Sequence, residues 1–246
     1  MQRVLALVKM ELLKLIREPA ILFLNMLFPA VLTLVFGLAF GGLGGGDPAM
    51  FEMMAPGLFA YACIFLVMTV AMSFSEDRES GILKRINVTP TTSSQFIGSH
   101  IITNMVITVI QLVIIFLLSL LMGFRPNIDV FGFIMAFIFM LLLSLCSVGL
   151  GLITATISKS SGAAVGLSFI FILPQMFFGT FLPLTEVTRV IAVFLPSYYV
   201  TDAITTIFNG LSPFAIEILM QLGIIALMSI VIVILGIFLF KKYGKI

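Results

Sequence analysis

Tryptophan is absent from this sequence, histidine occurs once, cysteine twice, and Asp, Glu, Lys and Arg together make up only 10% of its 246 residues. Each shortage excludes something. Soluble domains run at about 25% charged and about 45–50% apolar. A chain that is 61% hydrophobic carries more apolar surface than a water-facing fold can bury. Such a composition belongs to an integral membrane protein. Cys63 and Cys146 both lie inside apolar runs, so they serve as small buried hydrophobes and not as a disulfide or metal pair. His100 opens an apolar run with no cysteine or carboxylate at ligand spacing. It is expected to sit at headgroup level, and no metal site is expected. With one histidine there is no plausible Ser/His/Asp set either, so no catalytic residues are expected and the chain is not expected to be an enzyme.

A nucleotide motif is missing too. "GGLGGGDP", residues 41–48, is glycine-rich, but a phosphate-binding loop needs a lysine and a hydroxyl directly after its glycines. The Gly244-Lys245 pair is followed by Ile246. No bound cofactor is expected on this chain, and no nucleic-acid partner. Energy for any work must come from elsewhere.

What is present is apolar length. A bilayer core of about 30 Å takes about 20 apolar residues per helix, and six runs qualify: about 20–40, 54–74, 96–122, 130–157, 163–182 and 214–240. Pro29 and Pro174 stand inside the first and fifth and predict kinks. Ahead of these runs, residues 1–18 form an amphipathic pattern. Val4, Leu5, Val8, Leu12, Leu15 and Ile16 share one arc, with Arg3, Lys9, Lys14 and Arg17 opposite. That predicts an interfacial helix on an anionic leaflet. Residues 183–208 are too polar and too broken by Pro183 and Pro196 to span, yet too apolar for a solvent loop. Two pieces of about ten residues each rise about 15 Å, which predicts a re-entrant helical hairpin. The chain thus reads as a single all-α transmembrane domain. Gly37-x-x-x-Gly41, Gly162-x-x-x-Gly166 and the small residues of "SVGLGLITATIS" in the fourth run suit close helix packing.

Charge sets the orientation. With both termini in the cytosol, eleven Lys and Arg residues fall inside and only Arg125 and Arg189 outside, as the positive-inside rule requires. No span centre carries a charge, which argues against a proton-coupled carrier and a hydrophilic channel. The uncharged polar residues Asn25, Asn104, Gln111 and Gln175 are the pathway candidates, with interhelical hydrogen bonding as the plainer role. The densest charge lies in "SFSEDRESGILKRINVTP", residues 73–90, on the cytosolic side. Ser75 could cap a short helix there, with Glu76, Asp77 and Glu79 in its first turn. Topology alone needs only Lys and Arg, so the carboxylates point to docking of a partner.

These residues resemble the permease subunits of type-2 ABC exporters, the drug- and lipid-exporting, daunorubicin-permease-like group. The resemblance rests on "EDRESGILKRINVTP" and on "FLPLTEVTRVIAVFLPSYYVTDA" in register, and covers essentially the whole chain. It implies a coupling helix at 76–86, with Glu76, Asp77, Arg78, Glu79, Gly81, Leu83 and Arg85 docking a separate ABC ATPase subunit that holds the ATP and Mg. It also implies a connecting helix at 1–18, and an outer gate at 183–208 with Pro183, Pro196, Tyr198, Tyr199 and Asp202. The implied assembly is a homodimer or heterodimer of such chains, packed through the first and fifth spans among the lipids of the cytoplasmic membrane. The lack of tryptophan, the few tyrosines and the lack of a basic midplane ring favour an amphiphilic drug-like or lipid-like cargo. The rival readings are a non-transporting membrane anchor or assembly subunit of an ATPase, and a gradient-driven secondary carrier.

Overall fold

Long apolar runs bounded by capping residues dictate long helices, because a backbone in lipid must satisfy its own hydrogen bonds. The computed structural model describes residues 2–17, 19–41, 45–82, 92–182 and 185–243, with side chains except at 2, 3, 15, 19–25, 48 and 93. Among the described residues it is helical with no strand: α1 Gln2–Arg17, α2 Pro19–Phe40, α3 Pro48–Glu79, α4 Ser93–Leu121, α5 Val130–Ile157, α6 Ser161–Met176 continued by a π-turn Phe177–Phe181, α7 Glu186–Ala192, α8 Pro196–Phe208 and α9 Ile216–Tyr243. Helix starts follow local chemistry. Asp47 accepts from Ala49 N, Asp129 from Gly132 N and Ser160 from Ala163 N, while Thr92 and Gln95 form a reciprocal capping box.

The chain is a multi-pass membrane protein. Five helices are long and apolar enough to cross a bilayer, or up to six if α7 and α8 count as one bent span. The backbone of α2 runs 22 residues, a length that also crosses. The segment expected to form a hairpin holds α7 and α8, bent by 110°. The break falls just ahead of Pro196, where Leu195 is extended (φ −100°, ψ 126°), the conformation a following proline imposes. Pro183 lies outside the described residues.

One boundary differs in kind. Residues 76–79 were expected to open a separate helix capped by Ser75, but they are the last turn of α3, which ends at Ser80 with Gly81 at φ +73°. Ser75 is fully buried and bonds to Ser158 Oγ at 2.9 Å, so it ties helices together and caps nothing. Residues 83–91 lie outside the described residues, and Leu83 and Arg85 with them.

Burial orders the helices. In α3, 78% of the spanning window is buried, against 28% for α6 with its π-turn and 22% for α9. α3 is the central post; the others give much of their surface to lipid. Around α3, Phe59 meets Phe116, Phe124 and Phe208 at centroid distances near 6 Å, within the range of attractive aromatic pairs. On the far side of α5, glycines set the spacing of α9. A Cβ on Gly149 would stand 2.9 Å from the backbone of Ile232 and Val233, and one on Gly236 would stand 2.6 Å from Gly149 O. α2 likewise crosses Met122 at Gly37 and Gly41, whereas Gly162 and Gly166 of α6 face open space.

Backbone cannot step aside as a side chain can. Gly149→Ala is therefore expected to lower stability by about 1–3 kcal/mol, the usual cost of overpacking. Gly223→Ala, on α9 with open space around it, should stay within about 0.5 kcal/mol of the parent. Thermal unfolding of the purified chain in detergent compares the two.

Candidate functional site

Charges brought to the edge of a low-dielectric bundle must find partners, and at the foot of α3 they find them on four other helices. Ser75, Arg78 and Glu79, three and four residues apart, face the α5–α6 turn. Arg78 donates through Nη1 to Ala155 O at 3.1 Å and through Nη2 to Ser158 O. These are carbonyls at the C-terminal end of α5, where a cation suits the helix dipole. Glu79 Oε1 accepts from Ser161 N at 3.2 Å, at the start of α6.

Asp77 turns the other way. Its Oδ1 accepts from Lys14 Nζ of α1 at 2.8 Å, and its Oδ2 stands 3.2 Å from His100 Nε2 of α4. The same nitrogen lies 3.2 Å from Glu11 Oε1 of α1. Glu11 is 4%, Asp77 0% and His100 1% exposed. Phe74 and Phe96 pack on the imidazole with centroids 4.3 and 4.5 Å away. Burial works to lower the pKa of Lys14, but the hydrogen bond and charge of Asp77, with Glu11 and Glu76 behind it, hold it above its ordinary 10.5.

Two expectations are corrected here. His100, expected as a headgroup-level residue with no carboxylate beside it, is fully enclosed, because two carboxylates and two phenyl rings replace its water. Asp77 is not on a docking surface, since its carboxylate is spent on α1 and α4. Arg78 is likewise turned into the bundle. Glu79 and Gly81 keep more access at the tip of α3, while Leu83 and Arg85 lie outside the described residues. Glu11 and Lys14 were passed over, although a signal existed. At 100° per residue, Glu11 falls about 60° from Val8, inside the apolar arc of α1. Val8 and Glu11 face the bundle, while Leu5 and Ile16 point outward.

The opposite end of the bundle holds the bent pair. α8 buries Val200, Ala203, Ile204 and Ile207, and Asn127 N donates to Phe208 O at 3.0 Å, tying the pair to the α4–α5 loop. Ser197 Oγ donates to Gln175 O at 3.1 Å. Gly179 of the π-turn sits so close that a Cβ there would overlap Ser197 Oγ. Tyr199 donates to Val193 O at 2.8 Å, and Asp202 accepts from Gln221 of α9. Tyr198, Asp202 and Gly179 line a cavity of about 120 Å³. So Pro196, Tyr198, Tyr199 and Asp202 are gathered at one end.

The pathway candidates are not gathered. Asn104 donates to His100 O within α4, at 2.8 Å. Gln111 lies further along α4 with its amide nitrogen buried and unpaired, and Gln175 lies on α6 with an unpaired amide oxygen. Asn25 belongs to α2, where its side chain is outside the described residues.

A family model described as ABC-2 type transporter matches residues 2–209. No curated protein matches the chain significantly.

Removing Lys14 leaves the Asp77 carboxylate buried with less compensation. Lys14→Met is expected to cost about 2–3 kcal/mol, less than the about 3–5 kcal/mol for a fully enclosed pair, because Lys14 keeps some water. A group whose folded pKa is raised contributes stability below its unfolded value and loses it as pH climbs through the folded one. The contribution of Lys14 should thus hold up to pH 10.5 and fade only above it. Thermal melts of parent and variant from neutral pH to beyond that value measure both effects.

Proposed function

The chain belongs to the ABC-2 type transporter family and is a transport permease; on that premise we propose that it is the membrane subunit of an ATP-driven exporter for amphiphilic, drug-like or lipid-like molecules. It works with a separate ABC ATPase subunit, which holds ATP and Mg, and performs no hydrolysis itself. The charged foot of α3 and both termini face the cytosol from the cytoplasmic membrane, and the bent pair closes the outer exit.

The observation that carries this reading is the joint at the foot of α3. Residues 76–79, the start of the segment expected to dock the ATPase, are the end of α3, and there α3 is bonded to α1 by Lys14, to the α5 end by Arg78 and to the α6 start by Glu79, with His100 of α4 against Asp77. A displacement applied to that segment reaches those helices together. Closure of two ATPase subunits against two such segments supplies the differential contact that shifts a population between conformations. α6 ends in the π-turn against Ser197, so movement of α6 is passed to the gate at the other end. Two copies, identical or not, meet through α2 and α6, where Gly162 and Gly166 lie open.

The test uses residues beyond the joint. A Leu83→Asp, Arg85→Glu double variant keeps every bond described above. We expect a soluble ATPase to co-purify with the wild-type chain in mild detergent and to fall at least about tenfold with the variant. Reconstituted wild-type complex should move a fluorescent amphiphile only with hydrolysable ATP. Absence of any ATPase from the wild-type sample sinks the reading. An ATPase that binds but drives no movement leaves an anchoring role instead.

A further inference from the structure

His100, Glu11 and Asp77 present one nitrogen and two carboxylate oxygens to a single buried point between α1, α3 and α4, and we propose that this point binds one divalent transition-metal ion, with Zn²⁺ as its reference occupant. The three ligand atoms lie within 4.8 Å of one another, and His100 Nε2 is 3.2 Å from an oxygen of each acid. A tetrahedral ion with bonds of about 2.0–2.2 Å has ligand-to-ligand edges of about 3.3–3.6 Å. The two edges at the imidazole are close to that without rearrangement of any helix.

Hydrogen bonding accounts for the arrangement less well. An imidazole nitrogen has one bonding direction in its ring plane and cannot aim one proton at two carboxylates. Here Nε2 stands 3.2 Å from an oxygen of each acid without hydrogen-bond geometry to either, and it and Asp77 Oδ2 are both enclosed with no hydrogen-bond partner. Buried polar atoms are seldom left so, and a shared cation satisfies both at once. Charge agrees: two carboxylates converge on one imidazole nitrogen, and Lys14 reaches only the other oxygen of Asp77.

The donor set names the class of ion. One imidazole nitrogen among carboxylates suits Zn²⁺ and its first-row neighbours, whereas Mg²⁺ and Ca²⁺ prefer oxygen throughout. Lys14 holds the second oxygen of Asp77 at 2.8 Å, orienting that ligand as outer-sphere partners do in metal sites. The ion would fasten the interfacial helix α1 to the feet of α3 and α4. Its presence does not depend on the transport reading, since binding is measured on the chain alone.

The full-length chain, purified in detergent, is stripped with a chelator and dialysed against Zn²⁺ or Co²⁺. We expect about one Zn²⁺ per chain by mass spectrometry of the metal, a chelator-reversible rise in melting temperature, and the visible bands of tetrahedral Co²⁺. His100→Gln and Glu11→Gln, both close in shape, should each weaken Zn²⁺ binding more than about 100-fold, beyond the loss an outer-sphere partner causes. Glu217→Gln, an exposed carboxylate of α9, should bind as wild type does. Zn²⁺ held equally by the two ligand variants lies elsewhere and overturns the proposal. Monodisperse wild-type chain that retains no Zn²⁺ overturns it as well and leaves a proton on His100 as the occupant. The wild-type result stands on its own should a variant fail to fold.

Discussion

A carboxylate that water cannot reach governs this architecture. Asp77 is fully buried at the foot of a helix that is otherwise surrounded by apolar side chains. Such a charge is tolerable only with partners of good geometry, and its partners are supplied from far along the chain. Lys14 is 63 residues away in sequence, and His100 comes from the next spanning helix. That requirement holds α1 in place, keeps the last turn of α3 helical, and brings the start of α4 against it. The neighbouring Arg78 extends the same logic to the end of α5. Remove Asp77 and α1 keeps the contact of Glu11 with His100 of α4 but loses the bond of Lys14 to α3.

The two ends of the bundle are built from different materials. The foot is ionic, tied by charges and backbone carbonyls. The far end is held by aromatic packing around Phe59, by the close approach of Gly179 to Ser197, and by hydroxyl-to-carbonyl bonds. Between them α3 runs 32 residues without a break, about 48 Å at the helical rise. α6 spans the same space but changes pitch in its π-turn just after Pro174. Such turns concentrate at functional places because they redirect side chains without ending the helix. A stiff central post beside a helix with a built-in change of pitch is a reasonable basis for passing movement from one end to the other.

Much of this was legible from residues alone, and the division follows from range. Apolar runs and the prolines act locally, so the spanning helices and the bend ahead of Pro196 could be read from short windows. The small residues of α5 announced close packing, though not that α9 would be the partner. The foot of α3 was misread because its last turn depends on Lys14, His100 and Ser158, none within reach of a local pattern. Glu11 was the missed clue. A carboxylate among Val4, Val8 and Leu15 on a helical wheel is costly unless something charged faces it. His100, with no ligand nearby in sequence, offered no comparable hint. Leu83 and Arg85 stay readable only as sequence.

The outward set of Leu5 and Ile16 on α1 carries one more consequence. On the proposal that α1 lies at the interface, its outward apolar side chains take its height from the bilayer, and α1 is fastened to the foot of α3 through Lys14 and to the start of α4 through Glu11. On that proposal the membrane surface would become a mechanical reference for the protein. Thinning or crowding of that leaflet would lift or press α1, and the load would arrive at Asp77 before it reached any spanning helix. In engineering terms, the chain would rest on a sprung foundation whose stiffness belongs to the lipid.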